Sequence, residues 1–128
     1  MNIAPNYDRH AVILQWLDGD TCLVSIDLGW SLTIRQHVRI FGMNAREVHS
    51  ADAAQKALGL ADARYAMSLL PLGTDVMIRS HKPGDETADK YGRYLAEIVL
   101  PDGRDFASVM IASGHGFPYT GQGPKPTA

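Results

Sequence analysis

The sequence predicts an α+β fold, mainly β: a five-stranded barrel with a long helix after the third strand and a second, short helix near the end. Three observations carry this. Five short stretches rich in β-branched or alternating apolar residues are bounded by turn signals. From Ser50 the apolar period lengthens from two residues to three and four. Finally, 128 residues with 45% hydrophobic and 20% charged content have globular composition and room for one core, so one domain over 1–128 is expected, with 1–6 and 121–128 as flexible tails.

Taken in order, Ala11 to Leu17 is apolar apart from Gln15 and meets the turn Asp18-Gly19-Asp20, after which Thr21 to Leu28 is again strand-like. Gly29-Trp30 supplies a second turn. Ser31 to Gly42 then alternates, with Leu32, Ile34, Val38 and Ile40 on one face and Thr33, Arg35, His37 and Arg39 on the other. The third strand therefore has a basic face, which an ordinary solvated strand would also show. Ala54, Ala57, Leu58, Ala61, Tyr65 and Leu69 recur at helical steps, with Ser50 as expected N-cap and Pro71 as the stop. This stripe is expected to pack as core, and Gly59 in its middle to cost about 1 kcal/mol relative to alanine. Asp75 to Ser80 reads as the fourth strand, His81 to Asp89 as a polar loop, and Tyr94 to Leu100 as the fifth strand ending at Pro101-Asp102-Gly103. Asp105 to Ser113 is a short helix closed by Gly114. The order of three strands, a long helix, two strands and a short helix is that of an OB-type barrel, whose long helix plugs one end.

Several function classes are excluded or disfavoured by composition. No apolar run approaches the roughly 20 residues of a membrane-spanning helix, and the start of the chain lacks a basic segment followed by an apolar one. A cytoplasmic protein with no membrane partner is expected. The lone Cys22 forms no internal disulfide. Five histidines show no spacing that would place two imidazoles on one zinc ion. A formal charge of −2 provides no global positive field, so a phosphate partner would have to be met by local charge. Arg35, His37, Arg39 and Arg46 supply such a cluster, with no acid until Glu47.

Three polar segments exceed what a barrel requires. In Asp18-Gly19-Asp20-Thr21, the turn accounts for the spacing, and Asp20 is also a candidate oxygen ligand for a hard cation. Arg39 is followed by Asn44, Ala45 and Glu47 in the loop beyond its strand; the bland account of Arg39 and Glu47 is a surface pair. The third segment, Asp89-Lys90-Tyr91-Gly92-Arg93, is a charged turn before strand five.

Together, in this order and spacing, the three segments resemble the staphylococcal nuclease (thermonuclease) family from Asp18 to about Tyr119. The resemblance implies an OB-fold phosphodiesterase that cleaves DNA or RNA with bound calcium, or another divalent cation in its place, to 3′-phosphate products. It makes Asp20, Asn44 and the Ala45 carbonyl the metal ligands, Arg39 and Arg93 the phosphate-binding pair, and Glu47 the general base. Lys90, Tyr91 and Tyr119 border the substrate, and Arg35 extends the basic face toward it. Gly116-Phe117-Pro118-Tyr119 resembles a stretch of bacterial relatives.

Two positions depart from the family pattern of Asp, small residue, Pro, Glu. Asn44 keeps an oxygen ligand but loses a negative charge, which lowers the expected calcium affinity. Arg46 replaces proline and leaves two roles open, binding phosphate or neutralising Glu47. The chain also ends soon after Tyr119, where the staphylococcal enzyme has a further helix, so a homodimer covering that surface is an expectation. A metal-dependent nuclease leads, a weakly catalytic nucleic-acid-binding barrel is the alternative, and a protein-interaction module ranks last because it leaves Arg39, Glu47 and Arg93 without a role.

Overall fold

The computed structural model describes residues 6–80 and 92–119. The expected loop 81–89, Lys90, Tyr91 and the tail 121–128 lie outside them. Strands β1 (Asp8–Asp18), β2 (Thr21–Gly29), β3 (Leu32–Ile40), β5 (Asp75–Arg79) and β6 (Tyr94–Val99) form a closed barrel in the order β1-β2-β3-β6-β5. All neighbours are antiparallel except β3 and β6. Helix α1 (Ala53–Leu69) follows β3 and helix α2 (Phe106–Ala112) follows β6. The fold is thus mainly β, α+β and OB-like. A ribbon missed by periodicity adds β4 (Met43–Asn44) and β7 (Phe117–Pro118), which pair antiparallel with Asn44 opposite Phe117. Two-residue strands are too short to carry an alternation.

The barrel closes because β1 serves two partners. Ala11 and Val12 pair with Ile26 and Ser25 on one side and with Val76 and Asp75 on the other. Bulges between Ile13 and Gln15 and between Trp16 and Asp18 bend the strand into its turn. Inside lie Ile13, Val24, Val38, Ile40, Ile98, Phe106 and Met110, all essentially without exposed surface. Cys22 is also buried there, which pushes its thiol up to about 12. Trp16 stacks on Phe106 with centroids 5.2 Å apart, and its Nε1 donates to the Leu70 carbonyl at 3.0 Å. That bond satisfies one orphan carbonyl at the end of α1 and ties the helix to the barrel.

Helix α1 corrects three expectations. Its N-cap is Asp52, not Ser50: the Asp52 carboxylate accepts the Ala54 and Gln55 N–H groups, while the Ser50 hydroxyl accepts the N–H of Asp52. Its fully buried residues are Gly59, Asp62 and Ala66; of the expected stripe Tyr65 and Leu69 pack against the core, whereas Ala54, Ala57 and Leu58 are exposed. Gly59 is no blemish either. A Cβ there would overlap the Glu47 carbonyl, so the helix meets the β4–α1 loop backbone where only glycine fits. Among the described residues, no helix is long and apolar enough to cross a membrane.

Candidate functional site

The Asp18-Gly19-Asp20 turn joins β1 to β2, with Asp18 paired to Thr21. Gly19 sits in close quarters, since a Cβ would lie 3.0 Å from the Ala45 Cβ and 3.1 Å from the Asp62 Cβ. The turn therefore presses against both the β4–α1 loop and α1. This brings three carboxylates onto three of the four loop amides from Ala45 to Val48. Ala45 N–H donates to Asp20 Oδ2 at 2.7 Å, Arg46 N–H to Asp62 Oδ2 at 3.1 Å, and Val48 N–H to Asp18 Oδ1 at 2.9 Å. Asp20 is 4% exposed and Asp62 fully buried. Charge-assisted bonds of this kind are about twice as strong as neutral ones, so the loop carrying Glu47 has a fixed backbone. The Glu47 side chain itself is exposed.

Above the turn, strand register gathers the arginines. Thr21 pairs with Arg39 across β2–β3, and Arg39 pairs with Leu95 across β3–β6, two residues beyond Arg93. Arg39 Nη1 lies 2.9 Å from Asp20 Oδ2 and 3.4 Å from the Asp20 carbonyl oxygen. Arg93 Nη1 donates to Thr21 Oγ1 at 3.3 Å, and that hydroxyl donates to Asp20 Oδ1 at 2.9 Å. Arg93 is positioned by its neighbour Gly92, which adopts φ 78° and accepts a hydrogen bond from Gln36 Nε2. Thus both guanidiniums join one connected cluster through Thr21 and Asp20. Arg35, opposite Ser25, is exposed on the same strand face, about 13 Å from Arg39 at ~3.3 Å per residue. Tyr119 is half-exposed, and its N–H donates to the Gly42 carbonyl at 3.0 Å, which places it beside the end of β3. Lys90 and Tyr91 lie outside the described residues.

Arg46 is held by a partner the sequence did not suggest, Asp62 of α1. Its Nε and Nη2 grip Asp62 at 2.9 and 2.7 Å, Nη2 also reaches the Gly114 carbonyl at 3.1 Å, and the guanidinium lies 5.2 Å over the Phe117 ring. The Asp62 hydrogen bonds push its pKa further up. His115 Nδ1 meets Asp62 Oδ1 at 2.9 Å and its ring stacks on Tyr65. Arg46, Asp62 and His115 thus lock the loop, α1 and the segment after α2 together, a task proline could not perform. Sequence reasoning missed this clamp.

The donors fit a hard cation in kind. Asp20 supplies a carboxylate, Asn44 an amide oxygen, and the loop its carbonyls. Asn44 is 1% exposed with both side-chain polar atoms lacking any hydrogen-bond partner, an arrangement that costs free energy unless a ligand meets it. Among the described residues no three His, Cys, Asp or Glu side chains cluster as ready ligands. A cation here would rest on one carboxylate and neutral oxygens. Neither a family model nor a curated protein matches this sequence.

Proposed function

We propose that the chain is a metal-dependent phosphodiesterase of the staphylococcal nuclease type, hydrolysing DNA or RNA at the Asp20–Arg39–Glu47–Arg93 site. The observation that carries this reading is the convergence of Arg39, on β3, and Arg93, just before β6, on the linked Thr21 and Asp20. Phosphodiester hydrolysis builds negative charge on the equatorial oxygens of phosphorus. Two fixed guanidiniums offer those oxygens paired donors, which lysine cannot reproduce. Both Arg39 contacts with Asp20 use Nη1. Its other nitrogens are the ones assigned to phosphate.

Glu47, on its pinned loop, accepts the proton of the attacking water while the arginines hold the phosphate in line. Asp20, the Asn44 amide oxygen and the Ala45 carbonyl would hold calcium, which supplies Lewis-acid polarisation of a phosphate oxygen when bound. Tyr119, Arg35, Lys90 and Tyr91 are assigned to the substrate's flanks.

One observation favours the second reading, a binding barrel that does not cut. Asp20 already accepts from Thr21, Ala45 and Arg39, so its charge is balanced without a cation. Arginine-to-lysine exchange tests the two. In calcium, with a single-stranded oligonucleotide, Arg39→Lys and Arg93→Lys are expected to lower the cleavage rate at least about 100-fold each while weakening binding far less. Equal, small effects on cleavage and binding would contradict the phosphodiesterase and favour simple charge-driven retention.

A further inference from the structure

Running away from the cluster, whose Thr21 is itself buried, β2 and β3 line up one face in cross-strand pairs. Thr21 faces Arg39, Leu23 faces His37, Ser25 faces Arg35, and Asp27 faces Thr33. Arg39, His37 and Arg35 therefore recur at steps of about 6.6 Å along one strand, close to the phosphate repeat of an extended single strand. The acidic member of this ladder, Asp27, is committed to the turn, where its Oδ1 accepts the Gly29 N–H at 2.7 Å.

The ladder ends in a turn that the fold itself does not favour. Gly29, Trp30 and Ser31 have φ of 79°, 58° and 61°, so two consecutive non-glycine residues adopt the left-handed conformation. Hairpins of this kind favour Asn-Gly at those positions. Trp30 is nonetheless 95% exposed, flanked by exposed Leu28 and Leu32. No burial compensates for the strain, and strained exposed residues concentrate where a protein contacts a ligand.

We infer that the outward β2–β3 ladder is a binding track for single-stranded nucleic acid, with Trp30 stacking on an unpaired base at its far end. The inference rests on the phosphate site proposed above. From Arg39 to the tip the track spans about 26 Å at ~3.3 Å per residue, or roughly four nucleotide steps. The ligand is single-stranded because a base can stack on Trp30 only when its own neighbours do not cover it. A second copy of the chain is a poorer occupant. Two-fold pairing through this face would bring the Arg35 and Arg39 guanidiniums of one protomer against the arginine-bearing strand of the other.

The test uses fluorescein-labelled oligothymidylates of three and ten nucleotides in calcium, with the full chain carrying Glu47→Gln so that strands stay whole. Adding Trp30→Ala should weaken the ten-mer about tenfold and leave the three-mer, too short to reach the tip, unchanged. Trp30→Phe, which keeps a stacking face, should recover most of the loss. Adding Arg35→Gln should flatten the ten-mer's salt dependence by about one unit of slope. Equal ten-mer affinity with and without Trp30→Ala overturns the track and leaves the phosphate site standing. A parent protein that retains neither strand removes both readings. If Trp30→Ala instead abolishes a concentration-dependent rise in mass, the tip belongs to a second copy and the inference fails.

Discussion

The loop from Ala45 to Val48 and the hairpin tip from Gly29 to Leu32 each present one candidate side chain to solvent, and the two are held in opposite ways. Behind Glu47, three amides are bonded to Asp20, Asp62 and Asp18, and Gly59 lies against its carbonyl. Behind Trp30 there is one Asp27 bond and a left-handed backbone. The difference matches the demands of the two assigned roles. A proton acceptor must sit within about half an ångström of its productive position, which suits a loop fixed by two buried carboxylates and the half-buried Asp18. A stacking ring tolerates displacement because every base has a face, so an exposed turn suffices.

The largest expected effect breaks the pinned side of this contrast. Asp62→Ala removes a fully buried carboxylate and leaves Arg46 and its amide without their partner, so unfolding free energy should fall by about 3–5 kcal/mol in urea titration. A loss under ~1 kcal/mol would mean that Asp18 and Asp20 hold the loop alone. Gly59→Ala comes next. Helix propensity predicts a gain of about 1 kcal/mol, but overlap with the Glu47 carbonyl predicts a net loss of roughly 1–3 kcal/mol. The sign of the measured change decides between them.

On the strained side, Trp30→Gly should raise stability by about 0.5 kcal/mol, because relief of left-handed strain outweighs the extra freedom of glycine in the unfolded chain. A thermal midpoint below that of the parent would show that the exposed indole is packed after all. The smallest effect is a surface control away from both regions. The Arg79 guanidinium hydrogen-bonded to Asp8 holds that carboxyl below its ordinary value. Its contribution is therefore present above the ordinary carboxylate pKa of about 3.9 and lost as pH falls through the lower folded value. Asp8→Asn should make stability fall less steeply below pH ~4.

Much of the fold was legible because strands announce themselves by alternation. Thr21–Gly29 and Leu32–Ile40 are found within two residues of where the pattern puts them. The helix was legible in extent but only partly in orientation, since Tyr65 and Leu69 of the expected stripe meet the core and its first turns do not. Its buried stripe, Gly59, Asp62 and Ala66, has helical spacing, yet neither glycine nor aspartate counts as apolar, so hydrophobic periodicity pointed to Leu58 instead. At the site, motif spacing singled out Asp20, Arg39 and Arg93, and strand register brings them together. It could not reveal that Arg46 reaches Asp62 sixteen positions away and the Gly114 carbonyl sixty-eight away, since nothing local in the sequence links them. The tip was legible only as a turn. Its strain and exposure depend on φ angles that an ordinary Trp-Ser pair does not signal.

The most direct test of the account is end-group analysis of a labelled single-stranded oligonucleotide incubated with the protein in calcium, in chelator, and with Glu47→Gln. The account predicts calcium-dependent cutting to 3′-phosphate ends that chelator stops and the glutamine variant loses. Intact strands retained by the well-folded protein in calcium would contradict it and leave a binding barrel, with the Asp20–Arg39 pair standing where a cation would have been.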